Sequence, residues 1–108
     1  MHNWVVIRNI AYYNPIMILS VTHKGLRHYY EDGNGSKLSS EYLKKIARIL
    51  TSLDAVTSED DIMALGSEIH KLSGDLSDFW SIKVSANYRI IFKFDNGDVF
   101  EVDYLDYH

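Results

Sequence analysis

Three places in this 108-residue chain hold side chains able to move protons or meet phosphate charge. They are His70 in the run I-H-K-L-S-G-D, Arg89 in N-Y-R-I-I, and the closing Asp106-Tyr107-His108. Together these residue types suffice for phosphodiester cleavage without a metal. A base takes the proton of an RNA 2′-hydroxyl, the freed oxygen attacks the adjacent phosphorus, and the 5′-oxygen leaves with a proton from an acid. Histidine serves either role because its pKa lies near neutrality. Arginine answers the charge that accumulates on the phosphorus oxygens. His108 would add its own α-carboxylate. Each group also has a plainer reading: His70 as a surface histidine, Tyr107 as a packing aromatic, and Asp103, Asp106 and His108 as a metal-binding set. Spacing leaves these readings open. The chain carries no glycine-rich phosphate loop, no nucleophile elbow and no His-x-x-x-His pair.

The elements that must position these groups lie mostly in residues 79–108. β-Branched and aromatic residues dominate three runs, Phe79–Val84, Tyr88–Phe94 and Asp98–Leu105, separated by turn residues. This predicts an antiparallel meander. Asp95-Asn96-Gly97 admits a two-residue Asn-Gly turn or a three-residue loop with Gly97 left-handed. The three-residue loop sets Phe92 opposite Phe100, Ile90 opposite Val102 and Tyr88 opposite Tyr104, so one face is uniformly apolar, and it is the register expected. Ser85-Ala86-Asn87 likewise pairs Val84 with Tyr88, Ile82 with Ile90 and Trp80 with Phe92. The other face then carries Lys83, Arg89 and Lys93, with Arg89 between Lys83 and Asp103. That face is either an anion site or a solvated surface on which Asp103 satisfies Arg89.

Upstream, residues 17–21 read as a short strand, and His23–Glu31 as a helix stopped by Asp32-Gly33-Asn34-Gly35. A longer amphipathic helix, capped by Ser39 or Ser40, repeats Tyr42, Ile46, Ile49 and Leu53, with Lys44, Lys45 and Arg48 opposite. Thr57 or Ser58 caps a short acidic segment, Glu59–Leu65, whose acids suit the helix dipole. Glu68–Ser73 reads as a further strand. The order predicts an α+β domain over residues 17–108, its helices segregated from a mainly antiparallel sheet. Residues 1–16, with the only proline, read as a leader or extension outside it.

Net charge is −4, but +3 falls on residues 17–50 and −8 on residues 51–108, Arg8 completing the sum. Overall acidity argues against tight non-specific nucleic-acid binding, though not against a local basic patch. With no cysteine, disulfides and thiolate metal sites are excluded. No apolar run approaches the roughly 20 residues of a membrane span, and no secretory signal is legible.

From Met17 onward the chain resembles a HigB-type toxin of the RelE/ParE superfamily of bacterial toxin–antitoxin systems. The matching pieces are M-I-L-S-V-T-H-K-G-L, then H-K-L-S-G-D and F-W-S-I-K-V-S-A-N-Y-R-I-I-F-K-F, and finally N-G-D-V-F-E-V-D-Y-L-D-Y-H. The resemblance implies a RelE-like, microbial-ribonuclease-like fold, its sheet packed on two N-terminal helices. It implies a cytoplasmic endoribonuclease that cuts mRNA in the ribosomal A site with no cofactor and no metal. The partners implied are the ribosome, mRNA and a helix-turn-helix (HigA-like) antitoxin, with operator DNA reached only through that antitoxin and no membrane. Its catalytic residues would be His70, Arg89, Asp106, Tyr107 and His108, with Asn87 as the asparagine preceding the strand. Members often carry lysine where Ser73 stands; Lys71 and Lys83 are the substitutes this sequence offers for substrate contact. The alternatives are a gyrase-poisoning toxin of the ParE type and a toxin that retains only antitoxin binding.

Overall fold

The computed structural model describes residues 18–106. Within them run three helices, α1 (Lys24–Asp32), α2 (Leu43–Asp54) and α3 (Glu59–Met63), then four strands, β1 (Ile69–Lys71), β2 (Phe79–Lys83), β3 (Tyr88–Asp95) and β4 (Asp98–Asp106). The strands form one antiparallel sheet in the order β1-β2-β3-β4. The expected α+β arrangement is present. The expected leader, residues 1–16, lies outside the described residues.

Local chemistry sets both ends of α1 and the start of α3. The side chain of His23 caps α1, its Nδ1 accepting from the Leu26 N–H at 3.0 Å. Gly33, with φ 75°, closes the helix in the left-handed region, and the N–H groups of Gly33 and Asn34 return to the carbonyls of Tyr29 and His28. At α3 the Ser58 Oγ accepts from the Asp61 N–H at 3.1 Å, while Asp61 Oδ2 accepts from the Thr57 N–H at 2.9 Å. This reciprocal cap satisfies donors that the first helical turn leaves open. The N–H of Thr57, foremost among these bonds, holds the Asp61 carboxyl below its ordinary pKa.

The helices lie on one face of the sheet. Leu26 of α1, Ile46 and Leu53 of α2 and Ile62 of α3 are fully buried there with Ile90, Phe92, Val99 and Val102. Tyr30 of α1 donates to Asp54 Oδ1 at the end of α2 over 2.6 Å, tying the two helices together.

Two strand expectations change. The first concerns the β3–β4 turn. Asp95 pairs with Asp98, so Asn96 (φ 54°) and Gly97 (φ 87°) form a two-residue turn, not the three-residue loop expected. That register would set Phe92 against Glu101, but a bulge intervenes. Glu101 takes φ 51°, and beyond it the pairing shifts by one: Ile91 faces Asp103, Ile90 faces Tyr104, Arg89 faces Leu105 and Tyr88 faces Asp106. The bulge lets Val99 and Val102, three residues apart, both bury completely on the helix side. The fold thus takes the two-residue turn and breaks the ladder at Glu101.

The second concerns residues 17–21, expected as a strand. Ile18 and Val21 instead make isolated parallel bridges to Val99 and Val102, on either side of the bulge. Between them Ser20 accepts from the Glu101 N–H through its Oγ (2.9 Å) and from the Val102 N–H through its carbonyl (3.0 Å). A continuous ladder cannot pass a bulged edge, so the segment pairs only at its two ends. The Ser85-Ala86-Asn87 loop matches expectation: Val84 N–H donates to the Tyr88 carbonyl, Ile82 pairs with Ile90 and Trp80 with Phe92.

Candidate active site

Directly paired residues share a face of the sheet, so the register sorts the candidate groups. On the face turned away from the helices, Lys83, Arg89 and Leu105 form one row across β2, β3 and β4. His70, Ser81, Ile91 and Asp103 form the next row, across all four strands. The neighbour of Arg89 on β4 is thus Leu105 and not the expected Asp103, which lies two residue pairs further along, opposite Ile91. Ideal spacings put the Cα atoms of His70 and Lys83 about 8 Å apart, and those of His70 and Arg89 about 12 Å apart. His70, Lys83 and Arg89 therefore stand on one face of the sheet, in neighbouring rows.

The floor between these groups is closed. Ser81 (1% exposed) and Ile91 (3%) are buried. Ser81 Oγ has no hydrogen-bond partner among the described residues. Asp103 Oδ1 accepts from the Tyr104 N–H at 2.9 Å, which fixes its carboxylate at the β4 edge. Lys83 and Arg89, directly opposed like charges, are a pairing that costs sheet stability on its own, roughly 0.2–1 kcal/mol. Their juxtaposition suits a surface meant to meet an anion.

The remaining candidates fall elsewhere. Asp106, exposed at the end of β4, pairs with Tyr88 and so belongs to the row of Val84 and Tyr88, not that of Arg89. That row lies beside the Tyr88–Tyr104 stack, whose ring centroids are 5.0 Å apart; burial pushes the Tyr104 hydroxyl pKa up. Lys71 pairs with Trp80 and sets its Nζ 5.0 Å from that ring, on the alternate side of β1 from His70. Asn87 is exposed in the β2–β3 loop, its N–H donating to Ser85 Oγ at 3.3 Å. Ser73, expected within a strand Glu68–Ser73, lies two residues past the end of the shorter β1 and is exposed. Tyr107 and His108 lie outside the described residues. Among the described residues no cluster of three His, Asp or Glu side chains could hold a metal ion, and no helix is long and apolar enough to cross a membrane.

The model of the RelE-like toxin HigB of type II toxin–antitoxin systems matches residues 19–108. The chain belongs to this family. It is therefore similar to the toxin components of type II pairs, whose partner is a cognate antitoxin. The Endoribonuclease HigB of Proteus vulgaris is 38% identical over 92 residues, covering 85% of this chain and all of that protein. The Toxin HigB-1 of Vibrio cholerae serotype O1 is 33% identical over 94 residues, covering 85% of this chain and 98% of that one. The fold is shared more widely: the YoeB dimer structure from Staphylococcus aureus superposes with a TM-score of 0.58 at 16% identity, over 87% of this chain and 98% of that chain.

Two residues of the open face, Ser81 and Phe100, are not legible there from the sequence. Ser81 gave no signal, because a lone serine in a strand carries none. The unbroken register sets Phe100 on the core face, whereas its pairing with Lys93 puts it on the open face. The signal for that was the spacing of Val99 and Val102, which an unbroken strand would set on opposite faces.

Proposed function

We propose that this chain is the toxin of a type II pair and an endoribonuclease that cuts mRNA in the ribosomal A site, halting translation. The observation that carries this reading is the open sheet face, where His70, Lys83 and Arg89 stand in adjacent rows. The naming of its 38% identical relative as an endoribonuclease supports it. Arg89, aided by Lys83, meets the charge that builds on the non-bridging oxygens as the 2′-oxygen attacks phosphorus. The P–O5′ bond breaks, leaving a 2′,3′-cyclic phosphate and a 5′-hydroxyl. His70 and a group of the chain end, either Asp106, one residue beyond Leu105 of the Arg89 row, or His108, carry the proton off the 2′-hydroxyl and onto the leaving oxygen. Tyr107 stacks on or orients the substrate, and Asn87 at the loop above Arg89 contacts it. The side chains supply the proton transfers, so the reaction draws on no cofactor. The cellular partners are the ribosome and a helix-turn-helix antitoxin, and operator DNA is met through that antitoxin. The site of action is accordingly the cytoplasm.

Primer-extension mapping after a short pulse of expression tests the reading. Cuts confined to translated reading frames are the expected result. Intact mRNA with an SOS response would replace it with gyrase poisoning. Intact mRNA with no growth defect would leave antitoxin binding alone.

A further inference from the structure

Further along the open face stands a row that the cleavage chemistry does not use. Phe79, Lys93 and Phe100 are directly paired across β2, β3 and β4, and all three are partly exposed. The face of an antiparallel sheet turned from the core is ordinarily polar. Two phenylalanines flanking a lysine depart from that pattern. The lysine is held in place from two sides, its Nζ 5.1 Å from the Phe79 ring and 3.3 Å from Glu101 Oε1.

Beside this row is a cleft of about 310 Å³, lined by Lys71, Asp78, Lys93, Phe94, Asp95 and Phe100. Its size is at the small end for ligand sites. Its two lysines are matched by two aspartates, so the cleft offers no net attraction for a phosphate. It offers aromatic surface ringed by hydrogen-bond donors and acceptors, which suits an uncharged heterocycle. Unpaired RNA bases are recognised in this way, stacked on aromatic side chains with edge contacts from polar neighbours.

Arg89, Ile91 and Lys93 alternate along the same face of β3, so Arg89 and Lys93 lie about 13 Å apart at ordinary strand rise. That distance exceeds the reach of the nucleotide being cut and falls to a neighbour on the same strand. We propose that Phe79, Lys93 and Phe100 form a stacking subsite for an unpaired base of single-stranded RNA flanking the scissile nucleotide. The inference rests on the nuclease reading above and adds a determinant of where the strand is gripped. Phe100 supplies the stacking surface, Lys93, held by Glu101 and Phe79, a donor at its rim, and Asp78 and Asp95 the acceptors for base N–H groups.

The test uses the full chain on ribosomes programmed with short mRNAs. One set carries 2-aminopurine at successive positions near the cut and a 2′-deoxy nucleotide at the cut itself, which prevents cleavage. Wild type is expected to quench the fluorophore at one position away from the cut. Phe100→Leu, which keeps apolar bulk but loses the ring, should lose that quenching, and Phe100→Tyr should retain it. On cleavable mRNA, Phe100→Leu should lower kcat/KM roughly 10-fold, mainly through KM, with Phe100→Tyr near wild type. A purely structural role for Phe100 predicts a lower melting temperature with quenching intact, which overturns the proposal. Cleavage by wild type with unchanged kcat/KM in Phe100→Leu overturns the subsite and leaves the nuclease standing. Quenching without any cleavage upholds the subsite and removes the nuclease; neither quenching nor cleavage removes both.

Discussion

Replacing Tyr30 by Phe deletes one oxygen from the contact that joins α1 to the end of α2. The Tyr30 hydroxyl donates to Asp54 Oδ1 over 2.6 Å, and both groups are half-buried. Hydrogen bonds to a charged partner are worth about 1.5–3 kcal/mol when buried. Discounting for the exposed half of the pair leaves about 1–2 kcal/mol at neutral pH. For a domain of this size that is a fall in Tm of about 5–10 °C. The pH dependence has a definite sign. Burial raises the Asp54 carboxyl above its ordinary 3.8, opposed by the bonds from Tyr30 and from the Ile18 backbone. The folded state therefore holds the Asp54 proton more tightly than the unfolded chain, and Asp54 costs stability as pH rises through the carboxylate range. Removing the hydroxyl takes away one of the two opposing bonds, so the deficit of Tyr30→Phe should widen between about pH 3.5 and pH 7. Burial, followed by the Asp54 hydrogen bond, raises the Tyr30 hydroxyl far above its ordinary 10.0. Wild type is thus stabilised by a protonated Tyr30 below pH 10 and loses that component above it, while the variant has none to lose. The deficit should narrow again on the alkaline side. Urea unfolding followed by circular dichroism at pH 4, 7 and 10.5 measures all three points. A deficit that is constant with pH, or absent at pH 7, would refute the argument.

Three further outcomes are expected. Arg89→Ala should lower mRNA cleavage about 100-fold or more, and Arg89→Lys should recover only part of it because an ammonium cannot grip phosphate bidentately, both read by primer extension at matched protein level. Gly97→Val should destabilise the β3–β4 hairpin by roughly 1–3 kcal/mol; an added Cβ would meet nothing closer than the Thr57 carbonyl at 3.9 Å, so the cost comes from φ 87°, and Gly97→Asn should be far milder by thermal melting. Asp61→Asn should flatten the acid limb of the stability curve, because a carboxyl held below its ordinary 3.8 contributes stability above that value that is lost as pH falls; an unchanged acid limb in urea titrations would contradict the Thr57–Asp61 cap.

Much of the architecture was open to reading because local chemistry dictated it. The 3.6-residue rhythm of Ile46, Ile49 and Leu53 placed α2, and all three are buried. Ser58 followed by three acids fixed the start of α3, and Asp32-Gly33 the end of α1. The Ser85-Ala86-Asn87 loop set the β2–β3 register, which put Lys83 beside Arg89 and Ile82 beside Ile90. These features depend on neighbours within a few residues, and so the sequence alone determined them.

The β3–β4 register was decided by contacts far apart in the chain. Nothing local to Asp98–Asp106 demands a bulge, and an unbroken ladder gives a plausible apolar face. The bulge exists because Val99 and Val102 both find space in the core beneath the helices, and because Ser20, 81 residues earlier, takes the N–H of Glu101. A one-residue shift exchanges faces along everything on one side of it. It put Leu105 beside Arg89, brought Asp103 into the row of His70, and turned Phe100 out beside Lys93. The sequence could name the residues for a phosphate-binding face; the packing of two valines decided which neighbours they keep.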